Sequence, residues 1–371
     1  MNRLAVVVPY RFVPPVNGGH KAAFGLCAFL AKEVELSVLS TQSNDEKNAP
    51  FPLFPLFEDG FLKYINPLNA WRCYRFFKKN KIEACLTHQH FIAIILFPVA
   101  CLLKIPLYIY AQNLEYQRFR SMGKSWWPLV FLTEWIAYKL ANHIFFISPD
   151  ELMPAQTHFN LPKSKCSALP YGTWYLASPK HSLETRQRVR QRHGYSENEL
   201  IIIFFGPQSY QPNLEAVEKI ITEINPCLAK QMGERPYRFI ICGGGLPARY
   251  EQLAGYKQVD YLGFVENIDD YVLAADLMLN PIRSGGGVKT KLIEAIALGK
   301  TVISSYTGAL GVDATLCGEK LVLVPDHDTE AYAQALMKAA EKKSSPTPTS
   351  FYAFYYWGNT IKTITAVMRG K

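Results

Sequence analysis

No two cysteines in this chain stand close enough to form a CxxC pair: the eight are scattered along its length. That argues against a zinc site and against a disulfide framework, and it points to a reduced, cytoplasmic chain. Histidines, cysteines and carboxylates nowhere recur at metal-ligand spacing, so no metal is expected. Long apolar runs are missing too. The longest, Phe91–Leu103, is interrupted by Pro98 and closed by Lys104. It is too short for an ordinary membrane span and reads as a buried helix packed on a sheet. The N-terminal segment Leu4–Pro9 is a short apolar strand with one basic residue before it, so no signal peptide is expected. The first glycine turn, Asn17-Gly-Gly-His20, is not GxGxxG and lies far from the strand end at Pro9, which disfavours a dehydrogenase. No solenoid-type repeat is present.

The composition is that of a globular protein: 371 residues, 49% apolar and 19% charged, enough for two or three units with their own cores. The net charge of +9 is informative in where it falls. Two segments, 71–81 and 116–127, mix large aromatics with cations. Such segments can lie on an anionic membrane surface. Nucleic acid is the weaker reading and is not expected as a partner. The alternative for both is an amphipathic helix with its rings in the core. The run Arg186–Arg192 lacks aromatics and reads as a solvated helix face.

Strand-like and helix-like patterns alternate along the chain. Strands are expected at Leu4–Pro9, Val34–Leu39, Ala84–Thr87, Leu107–Ala111 and His143–Ser148, with helices at Lys21–Lys32, Ala70–Lys79 and Leu129–Ala141. The second half repeats the pattern, with strands at Leu200–Phe205, Arg238–Cys242, Val259–Leu262, Leu277–Asn280, Thr301–Ser304 and Leu321–Val324. Helices are expected there at Leu214–Lys230, Pro247–Leu253, Ile268–Ala274, Lys291–Leu298 and Thr329–Glu341. Repeated βα units imply mostly parallel sheets covered by helices. The expected class is α/β, with two Rossmann-like doubly wound domains over residues 1–175 and 176–345. Turn-rich Ser167–Lys180 marks the linker. A second breakpoint at Lys342–Ser350 precedes a terminal segment, 346–371, with a helical pattern at Asn359–Arg369.

The segment Pro281–Gly299 concentrates the chemistry. A strand end is followed by Gly285, Gly286 and Gly287, then by a helix with Leu292, Ile293, Ile296 and Leu298 on its apolar side. A glycine-rich turn at a helix N-terminus offers free backbone N–H groups and the positive end of the helix dipole to an anion. Arg283, Lys289 and Lys291 add positive side chains, and Glu294 is placed to accept hydrogen bonds from a sugar hydroxyl. Together they suit a nucleotide diphosphate. A plain βα turn with a surface glutamate is the competing reading.

Segment 281–299 resembles the donor-binding loop and helix of glycosyltransferase family 4, a retaining family with the GT-B fold. Phe204–Asn213, Cys242–Gly245, Tyr261–Val265 and Ala274–Asp276 resemble the preceding pieces of that family's second domain, in order. The first half matches more thinly, at Gly18-Gly19, Gln112-Asn113 with Glu115, and Tyr171-Gly172. The resemblance implies a nucleotide sugar in the second domain, an acceptor in the first, a site in the cleft between them, and a terminal helix crossing back near Trp357. Carried over by position, Glu294 would bind the donor ribose. Gly285, Gly286 and Gly287 would touch the diphosphate, with Lys289 beside them and Arg283 or Lys291 neutralising it. Gly206 and Gly244 would lie at the strand ends, and Val265 under the base. Gly18 and Gly19 would close on the phosphates or the acceptor, and Gln112 and Glu115 would line the acceptor side; His88 and His90 stand where a strand ends and can line it too, a surface turn being the competing reading.

Three positions depart from the family pattern. Its paired glutamates are here Gly286 and Glu294. The turn Gly206–Tyr210 carries neither Arg nor Lys. Gln112 replaces a histidine, and glutamine cannot act as an acid or base near neutral pH. The chain resembles a branch with a Gly-rich, Lys-bearing loop in place of the first glutamate. The implied function is transfer of a sugar from a nucleotide-diphosphate sugar to a glycan or lipid-linked glycan, with retention and without a metal or other cofactor. The implied mechanism is front-face substitution, with Arg283, Lys291 and Glu294 as the working side chains. Many acceptors in this family are lipid-linked, so a place on the inner face of the membrane is a further expectation. The alternatives are a noncatalytic glycan- or partner-binding relative, which Gly286 and Gln112 would suit, and a nucleotide-sugar epimerase.

Overall fold

A computed structural model of the chain describes residues 2–179, 182–250, 256–342 and 344–370. It divides into two compact units. The first comprises Met1–Trp174, Gly285–Val288 and Phe354–Lys371; the second comprises Tyr175–Ser284 and Lys289–Ala353.

The first unit is built on seven strands: β1 (Arg3–Val8), β2 (Glu35–Thr41), β3 (Leu53–Phe57), β4 (Ala84–His88), β5 (Leu107–Ala111), β6 (His143–Phe146) and β7 (Cys166–Ala168). They run in the order β3-β2-β1-β4-β5-β6-β7, and every pairing is parallel. Strands covered on both faces read as unbroken apolar runs, which is why Leu4–Val8 shows no alternation. The helices of this unit are α1 (Gly18–Leu30), α2 (Pro67–Lys79), α3 (Ala93–Leu103), α4 (Glu115–Ser121), α5 (Trp127–Leu140) and α6 (Pro149–His158). Strand β3 was not legible because Pro55 lies in it, tolerable only because β3 is a sheet edge. Strand β7 is three residues long, too short to show a period.

The C-terminal helix Trp357–Met368 belongs to this unit. Trp357 is wholly buried. A Cβ at Gly25 of α1 or at Gly172 would run into its indole, so the two glycines and the tryptophan form one fitted contact. Thr173 extends it with two backbone bonds, its N–H to the carbonyl of Tyr355 and its carbonyl from the N–H of Trp357.

The second unit has six parallel strands: β8 (Leu200–Phe205), β9 (Tyr237–Cys242), β10 (Val259–Gly263), β11 (Leu277–Asn280), β12 (Thr301–Ser305) and β13 (Leu321–Val324). Their order is β10-β9-β8-β11-β12-β13. Its helices are α7 (Ser182–His193), α8 (Gln211–Lys219), α9 (Asn225–Met232), α10 (Ile268–Ala274), α11 (Thr290–Ala297), α12 (Ala314–Cys317) and α13 (Thr329–Glu341). The single helix expected over Leu214–Lys230 is α8 and α9 joined by a π turn at Ile220–Ile224. Pro226, at the start of α9, has no N–H to continue the ordinary ladder. Of the helix expected over Pro247–Leu253, the described part is a 3-10 turn at Ala248–Tyr250; Glu251–Leu253 lie outside the described residues, as do Lys180 and Lys343.

One expectation about α7 is corrected. Arg190, read as part of a solvated face, is 1% exposed. Its guanidinium donates to the carbonyls of Ser196 (2.6 Å) and Glu199 (3.0 Å) and pairs with Asp276 at 2.8 Å. A buried guanidinium needs several acceptors at once, and the chain returning into β8 supplies them.

In each sheet the strand order reverses direction once, between β1 and β4 in the first and between β8 and β11 in the second. Ligands of doubly wound folds bind outside the carboxyl ends of strands at such points.

Candidate active site

In the second unit, the turn after β8 and the loop after β11 flank the reversal. Gly206 has φ of +139° and Gly243 has φ of +131°. A Cβ at Gly243 would strike the carbonyl of Gly206, so the turns after β8 and β9 touch through bare backbone. The Gly206 N–H donates to the Cys242 carbonyl at 2.9 Å, and Gln208 ties the turn to Gly244. Gly263, at the end of β10, accepts from the N–H of Gly243 at 2.6 Å. Three consecutive strand ends are thereby held at one level. Val265 is partly buried, and its neighbour Phe264 is 74% exposed.

The turn at Gly206 lacks a cation of its own, and Lys291 supplies one from α11. Its Nζ donates to Asn213 Oδ1 at 2.9 Å and lies 4.3 Å from the centroid of Phe204. A Cβ at Gly206 would sit 2.8 Å from the Asn213 amide and 3.2 Å from Lys291 Nζ. The glycine thus leaves room for the ammonium. Among the described residues no carboxylate pairs with Lys291. The residue keeps some exposed surface, yet burial of its ammonium pushes its pKa down to about 7; Lys289 adds to this, and Glu294, one turn along α11, opposes it. Arg283 is partly exposed and makes no hydrogen bond or ion pair among the described residues. Lys289 is buried and Glu294 partly buried. Gly285 and Gly287 have positive φ, +85° and +74°. Gly286 does not share that conformation, and a Cβ there would meet nothing within 4 Å. Crowding therefore does not exclude a Cβ at position 286.

In the first unit the reversal is lined by other residues. Asn17 caps α1 by accepting from the N–H of His20 at 3.0 Å, which places Gly18 and Gly19 in its first turn. His88 ends β4 and Gln112 follows β5. Their side chains meet, with Gln112 Nε2 3.0 Å from His88 Nε2 and 3.4 Å from the Gly19 carbonyl. Tyr10 Oη lies 2.6 Å from His88 Nδ1.

His88 and His90 are not a surface turn: both are fully buried, and burial pushes both pKa values down to about 3. His90 is separated from His88 by turning inward, against Phe91, Thr133 and Glu134. Glu115 does not stand open on the acceptor side either. It is buried at the start of α4, paired with Arg118 at 2.7 Å and bonded by Asn113 at 3.2 Å. Burial raises its pKa, with Arg118 opposing. Glu134 fixes this corner by accepting the N–H groups of Glu115 (2.8 Å) and Tyr116 (2.9 Å). Burial pushes its own carboxyl up to about 8.

Of two residues that shape these sites, Tyr10 lay outside every motif and Asn213 closed the segment Phe204–Asn213 without a role assigned to it. The one signal for Asn213 was the cation-poor turn before it; the structure pairs its carboxamide with Lys291 of α11, 78 residues on. Among the described residues no group of three or more metal-ligating side chains gathers.

Two doubly wound parallel sheets with glycine turns at their reversal points define the GT-B fold. Residues 199–342 match the family model described as glycosyl transferases group 1, so the second unit carries a glycosyltransferase domain. The chain is similar over its whole length to the sucrose-phosphate synthase of Thermosynechococcus elongatus, at 15% identity, covering 100% of this chain and 99% of that one, with a TM-score of 0.74. Anabaena HepE in complex with UDP-glucose gives 14% identity, coverage of 99% and 100%, and a TM-score of 0.70. WaaG, a glycosyltransferase involved in lipopolysaccharide biosynthesis, gives 14% identity, coverage of 99% and 100%, and a TM-score of 0.66. These likenesses are of fold. No curated protein matches the sequence.

Proposed function

We propose that the protein transfers a sugar from a nucleotide-diphosphate sugar to a glycan or lipid-linked glycan, with retention of anomeric configuration. The observation that carries this reading is the pair of cations, Lys291 and Arg283, without carboxylate partners among the described residues, beside glycine turns at the second unit's strand reversal. An ammonium held without a counter-ion is set to meet an anion that arrives with a ligand. Glu294 then takes the ribose hydroxyls. The complex of HepE with UDP-glucose supports a nucleotide sugar as the donor.

Transfer breaks the bond from the anomeric carbon to the diphosphate oxygen and forms one to the acceptor oxygen on the same face. The acceptor proton goes to the departing phosphate oxygen. Negative charge grows on the diphosphate as the bond breaks, and Lys291, Arg283 and the glycine N–H groups are fixed to stabilise it. No metal is needed for that step where two cations already meet the charge. The acceptor is received by the first unit, at the turn carrying Gly18, Gly19, His88 and Gln112. The basic-aromatic surface of that unit favours an acceptor at the inner face of a membrane; WaaG, of like fold, is involved in lipopolysaccharide biosynthesis.

The test is incubation of the pure protein with a panel of nucleotide sugars and lipid extracts, following diphosphate release and product anomeric configuration. Release that depends on the extract and yields a retained linkage is expected. Nucleotide binding with no release from any sugar would leave the noncatalytic relative as the better reading.

A further inference from the structure

We infer that Tyr10 is a hydroxyl-binding, specificity-determining residue of the first unit, its proton turned outward by the fixed tautomer of His88. The ligand class, an uncharged polyhydroxyl compound such as a glycan, rests on the transferase reading above.

The direction of the hydrogen-bond chain follows from its one unambiguous member. The Gly19 carbonyl can only accept, so the atom of Gln112 facing it must be the amide nitrogen. That nitrogen has two protons. One goes to Gly19 O and the other to His88 Nε2, which must then accept. His88 is neutral, because it is fully buried and no carboxylate among the described residues pairs with it. Its single proton is therefore on Nδ1 and is donated to Tyr10 Oη at 2.6 Å. The tyrosine oxygen is an acceptor in this bond, and its own proton has no acceptor among the described residues.

The surroundings fit a neutral ligand. Tyr10 keeps some exposed surface, while burial raises the pKa of its phenol well above the usual value and keeps it protonated; it lies just past the carboxyl end of β1, beside the strand reversal. His20, stacked on Tyr10 with centroids 6.1 Å apart, has a buried Nδ1 with no partner. Burial, with Arg11 adding to it, lowers the His20 pKa. The chain Gly19–Gln112–His88–Tyr10 holds no charged member. An anion would gain little from it, whereas a sugar ring can accept from Tyr10 and exchange a bond with His20. The bound hydroxyl is not the reacting one, since a group donating to the nucleophilic oxygen would oppose its loss of a proton. Tyr10 thus holds a neighbouring hydroxyl and selects its stereochemistry.

The test has two independent parts. Nitrogen-15 NMR of the histidine rings in the unliganded full chain reads the tautomer directly. Protonation at Nδ1, unchanged between pH 5 and 8, is expected; an Nε2-protonated or charged ring would overturn the inference, whatever the protein's activity. The second part titrates methyl α-glycosides of glucose, galactose and mannose, following the His88 ring signals. At least one should bind saturably and distinguish the epimers, and Tyr10→Phe should weaken it ten-fold or more while UDP affinity is unchanged. Equal binding by Tyr10→Phe, or no binding by any of the three, would overturn the role of Tyr10. Failure of the wild-type chain to bind UDP would instead strike the transferase reading and leave the tautomer result standing.

Discussion

Among the described residues no carboxylate pairs with Lys291, and its environment sets a pH dependence whose sign can be worked out. Its folded pKa, about 7, lies below the value near 10.4 of an unfolded lysine. Between the two the unfolded chain binds more protons, so this group's contribution to stability improves as pH rises through that window and is least favourable below it. A bound diphosphate acts the other way, because it favours the charged ammonium. Binding of UDP near pH 8, above the terminal phosphate's own pKa of about 6, should therefore take up a proton, and affinity should fall as pH climbs past 7. Calorimetry in buffers of different ionisation enthalpy reads that uptake, which Lys291→Met should abolish. Glu294 makes a separate prediction. Removing its carboxylate should weaken UDP binding by about 1.5–3 kcal/mol, the worth of hydrogen bonds to a charged group. Unchanged affinity in Glu294→Ala would take it out of the site.

At the scale of elements, α2 and α5 expose apolar side chains beside cations. Trp71, 55% exposed, lies under the guanidinium of Arg75 at 4.7 Å, and Lys78 lies 5.8 Å from Tyr74. Leu129, Leu132 and Trp135 are exposed along α5, and α3 packs against both helices. No helix among the described residues is long and apolar enough to cross a membrane. The rings split: Phe77 is buried while Trp71 is not, so the core-facing and surface readings of segment 71–81 each hold for one side of α2. Each cation near an anionic surface contributes about 1 kcal/mol. Neutralising Arg75, Lys78 and Lys79 together should weaken binding to anionic vesicles roughly hundred-fold. Co-sedimentation at low and high salt checks it; absence of binding at low salt would return these residues to ordinary surface. Elements were legible where a short apolar run stood between turns, as in β1 and β8, or where the helical period ruled, as in α11. The sequence was silent where the determinant was a neighbour far along the chain. Nothing local marks Arg190 as buried, because Asp276 and the carbonyls beyond α7 bury it. Nothing local separates His88, which faces the strand reversal, from His90, two residues on.

For the whole molecule, Trp357 is the test of how the first unit is closed. It fills the space left by Gly25 and Gly172. Truncating it should cost about 3–5 kcal/mol, as for other buried aromatics, and Gly25→Ala should also destabilise strongly by overpacking. Denaturant titrations followed by far-UV circular dichroism measure both. The same contact has a consequence for biosynthesis. The seven strands of the first unit end at Ala168, but the unit cannot be closed until Phe354–Lys371 have left the ribosome, and the residues of the second unit all precede them. During translation the earlier half must wait with the seat for Trp357 vacant, its apolar lining offered to chaperones or to other nascent chains, while the later half folds ahead of it.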